Sequence, residues 1–181
     1  MDIIQTNLEG CFIIKPNVFH DERGYFFESF NQKDFNKILG TKISFVQDNE
    51  SYSTKGVLRG LHFQEGEHSQ AKLIRVICGE ILDVIVDLRP DSKTFLQHIR
   101  VKLSSENKKQ IFIPRNFAHG FIVLSNTAII NYKCDNLYNK DSEKGIIYND
   151  EKLNINWELE PKEFIISEKD KALSTVNELF L

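Results

Sequence analysis

Few markers of a secreted, membrane-spanning or nucleic-acid-binding chain are present in this sequence. It holds only three cysteines, Cys11, Cys78 and Cys134. They are far apart, odd in number and outside any CxxC spacing, which argues against a disulfide framework and a zinc knuckle and points to a reducing compartment. No stretch approaches the ~20 apolar residues that a bilayer-spanning helix needs. MDIIQTNLEG at the N-terminus lacks the basic-then-apolar order of a secretory leader, so a soluble cytoplasmic protein without a membrane partner is expected. The net charge is only −3, with both signs interspersed. Nothing therefore suggests the basic face of a nucleic-acid binder, and any phosphate recognition should be local. No low-complexity tract, repeat period or Pro/Gly linker divides the chain, and its 181 residues suit one domain over 1–181 with a sizeable core.

What is there reads as β-structure. Short apolar segments recur between turn residues: CFIIK, YFFESF, ISFVQ, LIRVICG, EILDVIVDL, IRVKL, QIFIP, GFIVL, AIINYK and EFIIS. Many are rich in Ile, Val or Phe, as half-buried pleated segments prefer. No repeated amphipathic helix separates them, so an all-β sandwich or barrel of jelly-roll type is expected rather than βαβ units. In NQKDFNKILG, Phe35, Ile38 and Leu39 lie at helical spacing and Gly40 supplies a stop. A second short helix is expected near Ser174 to Leu179, and the polar run Asn136 to Gly145 reads as a loop at the barrel mouth.

Chemistry is concentrated in GVLRGLHFQ (Gly56–Gln64) and the strand-like run that starts at Gln70. Basic side chains inside otherwise apolar strands are costly to desolvate unless an anion or hydrogen-bond partner offsets them, which makes an anionic ligand the natural candidate. Arg59 and His62 are three apart, and a regular strand would place them on opposite faces. If both reach one ligand, Gly60 marks a bulge or strong twist. Along the next strand Lys72, Ile74, Val76 and Cys78 share one face, expected to be mainly buried.

At GVLRGLHFQ, QAKL, DVIVDLR, IPRNFAHGF and NYK the chain resembles the dTDP-4-dehydrorhamnose 3,5-epimerase family of cupin-type sugar-nucleotide epimerases. The resemblance runs from FHDERGYFFESF at Phe19 through QDNESYS at Gln47 and YNDEKLNINW at Tyr148 to SEKD at Ser167. It implies a cupin-type jelly roll with a few short peripheral helices, acting without metal or other cofactor. Cupins often hold a metal through an HxH pair whose imidazoles face one way. Here the place reads His62, Phe63, Gln64, so the second histidine is missing.

The implied substrate is a dTDP-linked 4-keto-6-deoxyhexose, whose C3 and C5 protons are α to the ketone. Epimerisation then needs a base, a cation or donor at the enolate oxygen, and an acid on the opposite face. By resemblance His62 is the base, since imidazole titrates near operating pH, and Asp170 is the carboxylate that pairs with it. Taken alone, His62 also fits a hydrogen-bonded core histidine, and Asp170 a solvated turn aspartate. Lys72 is the candidate for the enolate oxygen, with a lysine snorkelling from a strand end as the alternative. Tyr132 is the candidate acid, with a core tyrosine keeping a polar tip as the alternative.

The resemblance also assigns the substrate-binding residues. His119 would contact the sugar or diphosphate, and Arg23 and Arg59 could fork onto phosphate oxygens, although a surface ion pair is the plainer role for Arg23. Phe26, Glu28, Gln47, Asn49, Tyr138, Glu143 and Lys169 belong to the nucleotide end. Tyr138 could stack on thymine while Gln47 and Asn49 read its polar edges. The family implies a homodimer whose N-terminal segments cross, so that Arg23, Phe26 and Glu28 serve the neighbouring site. Two departures bear on nucleotide grip: EGEHSQ lacks a proline common there, and Leu137 stands where an aromatic commonly precedes Tyr138. Alternatives are a mono-epimerase inverting C3 or C5 alone, a non-catalytic sugar-nucleotide-binding cupin, and a metal-dependent cupin oxygenase or isomerase.

Overall fold

The expected strand-rich pattern resolves into two sheets, antiparallel except for one short parallel strand, that face each other across a common apolar core. A computed structural model describes residues 1–40 and 42–180. The chain begins with β1 (Asp2–Gln5) and β2 (Phe12–Lys15), then a small hairpin of β3 (Phe19–Asp21) and β4 (Gly24–Phe26). Helix α1 (Gln32–Leu39) leads to β5 (Gln47–Thr54), β6 (Val57–Gln64), β7 (Lys72–Cys78) and β8 (Glu80–Asp87). Next come β9 (His98–Ser104), β10 (Gln110–Ile113), β11 (Phe117–Val123) and β12 (Thr127–Cys134). The C-terminal part carries β13 (Glu143–Gly145), β14 (Ile165–Ile166), α2 (Glu168–Lys171) and α3 (Val176–Phe180).

One sheet runs β1-β2-β10-β7-β12-β5, and the other β13-β6-β11-β8-β9 with β14 beside β6. The two sheets are not closed onto each other, so the expected barrel takes the form of a jelly-roll-like sandwich. Strand β8 shows why its sequence is almost continuously apolar. Ile81 and Ile85 enter the core between the sheets, while Leu82, Val84 and Val86 face outward under Leu153, Trp157 and Val176 of the C-terminal segment. A strand covered on both faces loses the alternation that a one-sided strand shows.

The other sheet is covered by α1, whose buried Phe35 packs with Phe12, Leu73 and Phe112. Asn31 caps this helix by accepting from the Lys33 and Asp34 amides, and Gly40 ends it at φ +66°, a left-handed conformation that glycine adopts without a Cβ penalty. The helix expected near Ser174 is α3, which begins at Val176.

Several local expectations are corrected. YFFESF is strand only as far as Phe26, and ISFV is not strand; β5 begins at Gln47. That strand is polar throughout, with Gln47, Asn49, Ser51 and Ser53 turned inward and Asp48, Glu50, Tyr52 and Thr54 exposed. The run Asn136 to Gly145 ends in β13, which pairs with β6. Cys78 is exposed rather than buried, because a register shift skips Ile77 where β7 pairs with β12 and breaks the face shared by Lys72, Ile74 and Val76.

Candidate active site

A cavity of about 590 Å³ opens between the sheets, lined by Ser51, Arg59, His62, Lys72, His119, Tyr132, Lys169 and Asp170 among others. A smaller space of about 120 Å³ shares His62, Lys72 and Tyr132 with it and adds Gln47, Asn49, Gln64, Cys134, Tyr138 and Glu143. All four expected catalytic side chains are thus brought together. Of the ten remaining candidates, seven line these two spaces (Gln47, Asn49, Arg59, His119, Tyr138, Glu143 and Lys169), and Arg23, Phe26 and Glu28 do not.

Arg59 and His62 reach one cavity because β6 changes parity at Gly60. Leu58 and Leu61 both pack into the outer apolar layer although they are three residues apart. On the neighbouring strand, His119 and Phe121 keep the regular step of two while pairing with His62 and Arg59. The extra residue is Gly60, at φ +115°; a Cβ there would lie 2.6 Å from Gly120 Cα. Only a residue without a side chain permits that approach and that backbone angle.

His62 Nε2 lies 2.8 Å from Asp170 Oδ1. The carboxylate accepts donors on both oxygens, since Oδ2 takes the Gly60 amide at 3.1 Å. Asp170 sits in the short helix α2, capped by Ser167, and is 4% exposed, so it is not a solvated turn aspartate. Burial works to raise its carboxyl, but the hydrogen bond and charge of His62 and the Gly60 amide outweigh that and hold it below the usual range. With Nε2 taken, Nδ1 is the imidazole nitrogen left for a ligand.

Lys72 comes from β7 and Tyr132 from β12, on the sheet opposite His62. Burial lowers the Lys72 ammonium below its ordinary value, with neighbouring Cys134, Asp83 and Glu143 pulling the other way. Burial also pushes the Cys134 thiol up to about 11, so near neutral pH the carboxylates alone counter the lysine's desolvation. Among the described residues the lysine ammonium has no ion-pair or hydrogen-bond partner, and neither has the Tyr132 hydroxyl. The same burial raises Tyr132 above the ordinary tyrosine range, which keeps its proton in place.

Arg59 donates through Nε to Ser53 Oγ at 3.2 Å and has no carboxylate partner among the described residues, leaving its Nη groups for an anion. At the mouth, Tyr138 Oη and Lys169 Nζ both donate to Glu143 Oε2 at 2.6 Å. Burial alone would raise Glu143, yet those two bonds and the lysine's charge hold it below the usual carboxylate range. Gln47 donates to Asn49 and accepts from the Tyr138 backbone amide, so the two side-chain amides expected to read a base edge are linked by hydrogen bonds to the residue that carries the expected stacking ring.

Arg23, Phe26 and Glu28 are not at this cavity. Arg23 pairs with Asp21 at 2.6 Å on the exposed β3–β4 hairpin, as the surface alternative foresaw, and Phe26 is 71% exposed. Phe26 and Glu28 border a separate hollow with Phe19. His119 faces the main cavity, but its Nε2 donates to Asp83 Oδ1 at 2.7 Å. Asp83 was not singled out from the sequence, although a carboxylate inside EILDVIVDL carries the same signal that exposed Arg59. Ser51 and Ser53 were missed because β5 lacks any apolar alternation. Among the described residues no three His, Cys, Asp or Glu side chains are grouped to hold a metal ion.

The family model described as dTDP-4-dehydrorhamnose 3,5-epimerase matches residues 5–178. The dTDP-4-dehydrorhamnose 3,5-epimerase of Escherichia coli K12 is 50% identical over 179 residues, covering 99% of this chain and 96% of that protein. The crystal structure of the enzyme of that name from Elizabethkingia anophelis NUHP1 superposes with a TM-score of 0.95 at 50% identity, over 98% of this chain and 97% of that one. A third, dTDP-6-deoxy-D-glucose-3,5-epimerase from Legionella pneumophila Philadelphia 1 in complex with dTDP-4-keto-L-rhamnose, gives 0.93 at 48% identity, over 97% and 93% of the two chains.

Proposed function

The chain belongs to the dTDP-4-dehydrorhamnose 3,5-epimerase family, and from that premise we propose how its cavity inverts C3 and C5 of dTDP-4-dehydro-6-deoxyglucose to give dTDP-4-dehydro-L-rhamnose, in dTDP-L-rhamnose biosynthesis. The protein is an epimerase of the isomerase class. The observation that carries the mechanism is the placement of His62 and Tyr132 on facing sheets with Lys72 between the same two spaces.

His62 Nδ1 takes the α-proton, and Asp170 steadies the imidazolium that results. Electron density moves onto the C4 oxygen, where Lys72 supplies the positive charge. An ammonium that has been desolvated and left without a partner is worth more there than one already neutralised. Tyr132 returns a proton from the other face, which inverts the carbon. The same sequence at the second α-carbon completes the double epimerisation. No cofactor is assigned to any step.

Arg59 holds the diphosphate, while Gln47, Asn49, Tyr138, Glu143 and Lys169 form the thymidine end. Arg23 and Phe26 of the hairpin and Glu28 just after it serve the site of a second copy in a homodimer with exchanged N-terminal strands. The exposed aromatics Phe19, Tyr25 and Phe26 support that reading, since a hairpin with three rings more than half exposed lacks an apolar cover of its own. Residues 1–181 act as a single cytoplasmic domain.

The test is an NMR time course of dTDP-4-dehydro-6-deoxyglucose with the protein in D2O, following deuterium and configuration at C3 and C5. Deuterium and inversion at both carbons are expected. Inversion at one carbon alone selects a mono-epimerase, and nucleotide binding without exchange rejects catalysis on this sugar.

A further inference from the structure

The histidines of two histidine–carboxylate pairs lie side by side on neighbouring strands, and the mechanism above uses the carboxylate of only one. His119 is the direct cross-strand partner of His62, and its Nε2 donates to Asp83. Asp83 comes from the inward face of β8, between Ile81 and Ile85 of the inter-sheet core, and is fully buried. Its Oδ2 is buried without a hydrogen-bond partner among the described residues.

Asp87, four residues further along the same face, shows what a structural carboxylate does on this strand. It accepts from the Arg89 amide, from Arg89 Nε and Nη2, and from the hydroxyls of Ser92 and Thr94. Asp83 organises no turn and caps no helix. Among the described residues its side chain holds His119 alone, whose ring lines the cavity. Folding gives no reason to keep a buried carboxylate oxygen unpaired, which makes such a group a functional signal.

We propose that Asp83 is a positioning residue for His119: it engages Nε2–H, fixes the ring's orientation and tautomer, and leaves Nδ1 to meet the 4-keto sugar. The identity of that ligand rests on the epimerase reading, whereas the tautomer does not. The same buried charge also favours the ammonium of Lys72, so one carboxylate supports two groups of the cavity from behind.

The experiment combines imidazole 15N NMR of the wild type and Asp83→Asn, at a pH where His119 is neutral, with kcat and KM on dTDP-4-dehydro-6-deoxyglucose. The wild-type ring is expected to carry its proton on Nε2. Asparagine can donate as well as accept, so the variant should show mixed tautomers and a kcat/KM lower by about tenfold to hundredfold, the usual effect of removing a supporting partner. A wild-type His119 protonated on Nδ1 overturns the proposal whether or not the variant folds. A folded variant with unchanged tautomer and unchanged kcat/KM overturns it too. Should the wild type fail to turn over this sugar, the epimerase reading falls while the NMR arm still decides the role of Asp83.

Discussion

His62 and Asp170 meet across 2.8 Å although 108 positions separate them in the chain. The second carboxylate oxygen takes the amide of Gly60, so a single aspartate grips both the proposed base and the bulge that aims it.

Replacing that carboxylate by its amide, Asp170→Asn, should lower kcat by roughly 10²- to 10⁴-fold, because the amide can hold the wrong imidazole tautomer and cannot stabilise imidazolium. Stability should respond as well. The folded-state value of Asp170 lies below its ordinary 3.8, so its contribution is present above that pH and is lost as pH falls through the folded value. Denaturant unfolding against pH should show a shallower acid limb in the variant; an unchanged limb with unchanged kcat would dismiss the pair.

Base and acid are separable by isotope. His62→Ala should abolish exchange of the C3 and C5 protons with D2O, whereas Tyr132→Phe should keep part of the exchange and lose most of the inverted product. Substantial exchange in the histidine variant would remove it as base, and full product formation by the tyrosine variant would reassign the acid.

Lys72 sets the alkaline edge. Burial lowers it from 10.5 and raises Tyr132 from 10.0, so loss of the ammonium moves towards the working range while loss of the phenol proton moves away from it. The kcat profile should fall on that limb, and Lys72→Arg, which stays charged, should move the limb upward at a reduced maximum rate. A limb that stays where it was would belong to another group.

Gly60→Ala tests the bulge. The new Cβ would stand 2.6 Å from Gly120 Cα and 2.7 Å from the His119 carbonyl oxygen, at a backbone angle of +115°. The unfavourable backbone conformation alone should cost about 1–3 kcal/mol, a fall of ~2–4 °C in Tm per kcal/mol for a chain of this size. Activity should fall further, since the alanine shifts Arg59 and His62 together. A melting curve and kcat that both match wild type would mean that the strand has room to relax.

Much of the architecture was legible because apolar segments and turn residues mark strands directly. The conflict between Arg59 and His62 was legible too, since strand parity is simple arithmetic, and it pointed to Gly60. The polar strand β5 was not, because its inward face meets a cavity rather than a core and so carries Gln, Asn and Ser where apolar residues would otherwise alternate. For the same reason ISFV drew a strand assignment that belongs to the residues after it. Cys78 was misplaced by a register shift that no local pattern announces. Asp170 was paired with His62 by resemblance alone, as a four-residue helix gives too weak a periodic signal to distinguish a buried acid from a surface one.

The segment from Ile146 onward covers the outer face of β6 and β8 and then delivers Asp170 to His62. In a chain made from the N-terminus, both sheets' main strands emerge from the ribosome before this cover does. The carboxylate for the imidazole is made amid that cover, after Trp157 and before Val176. One stretch of chain thus both seals that apolar face and completes the His62–Asp170 pair, so a copy truncated before it would lack the two together.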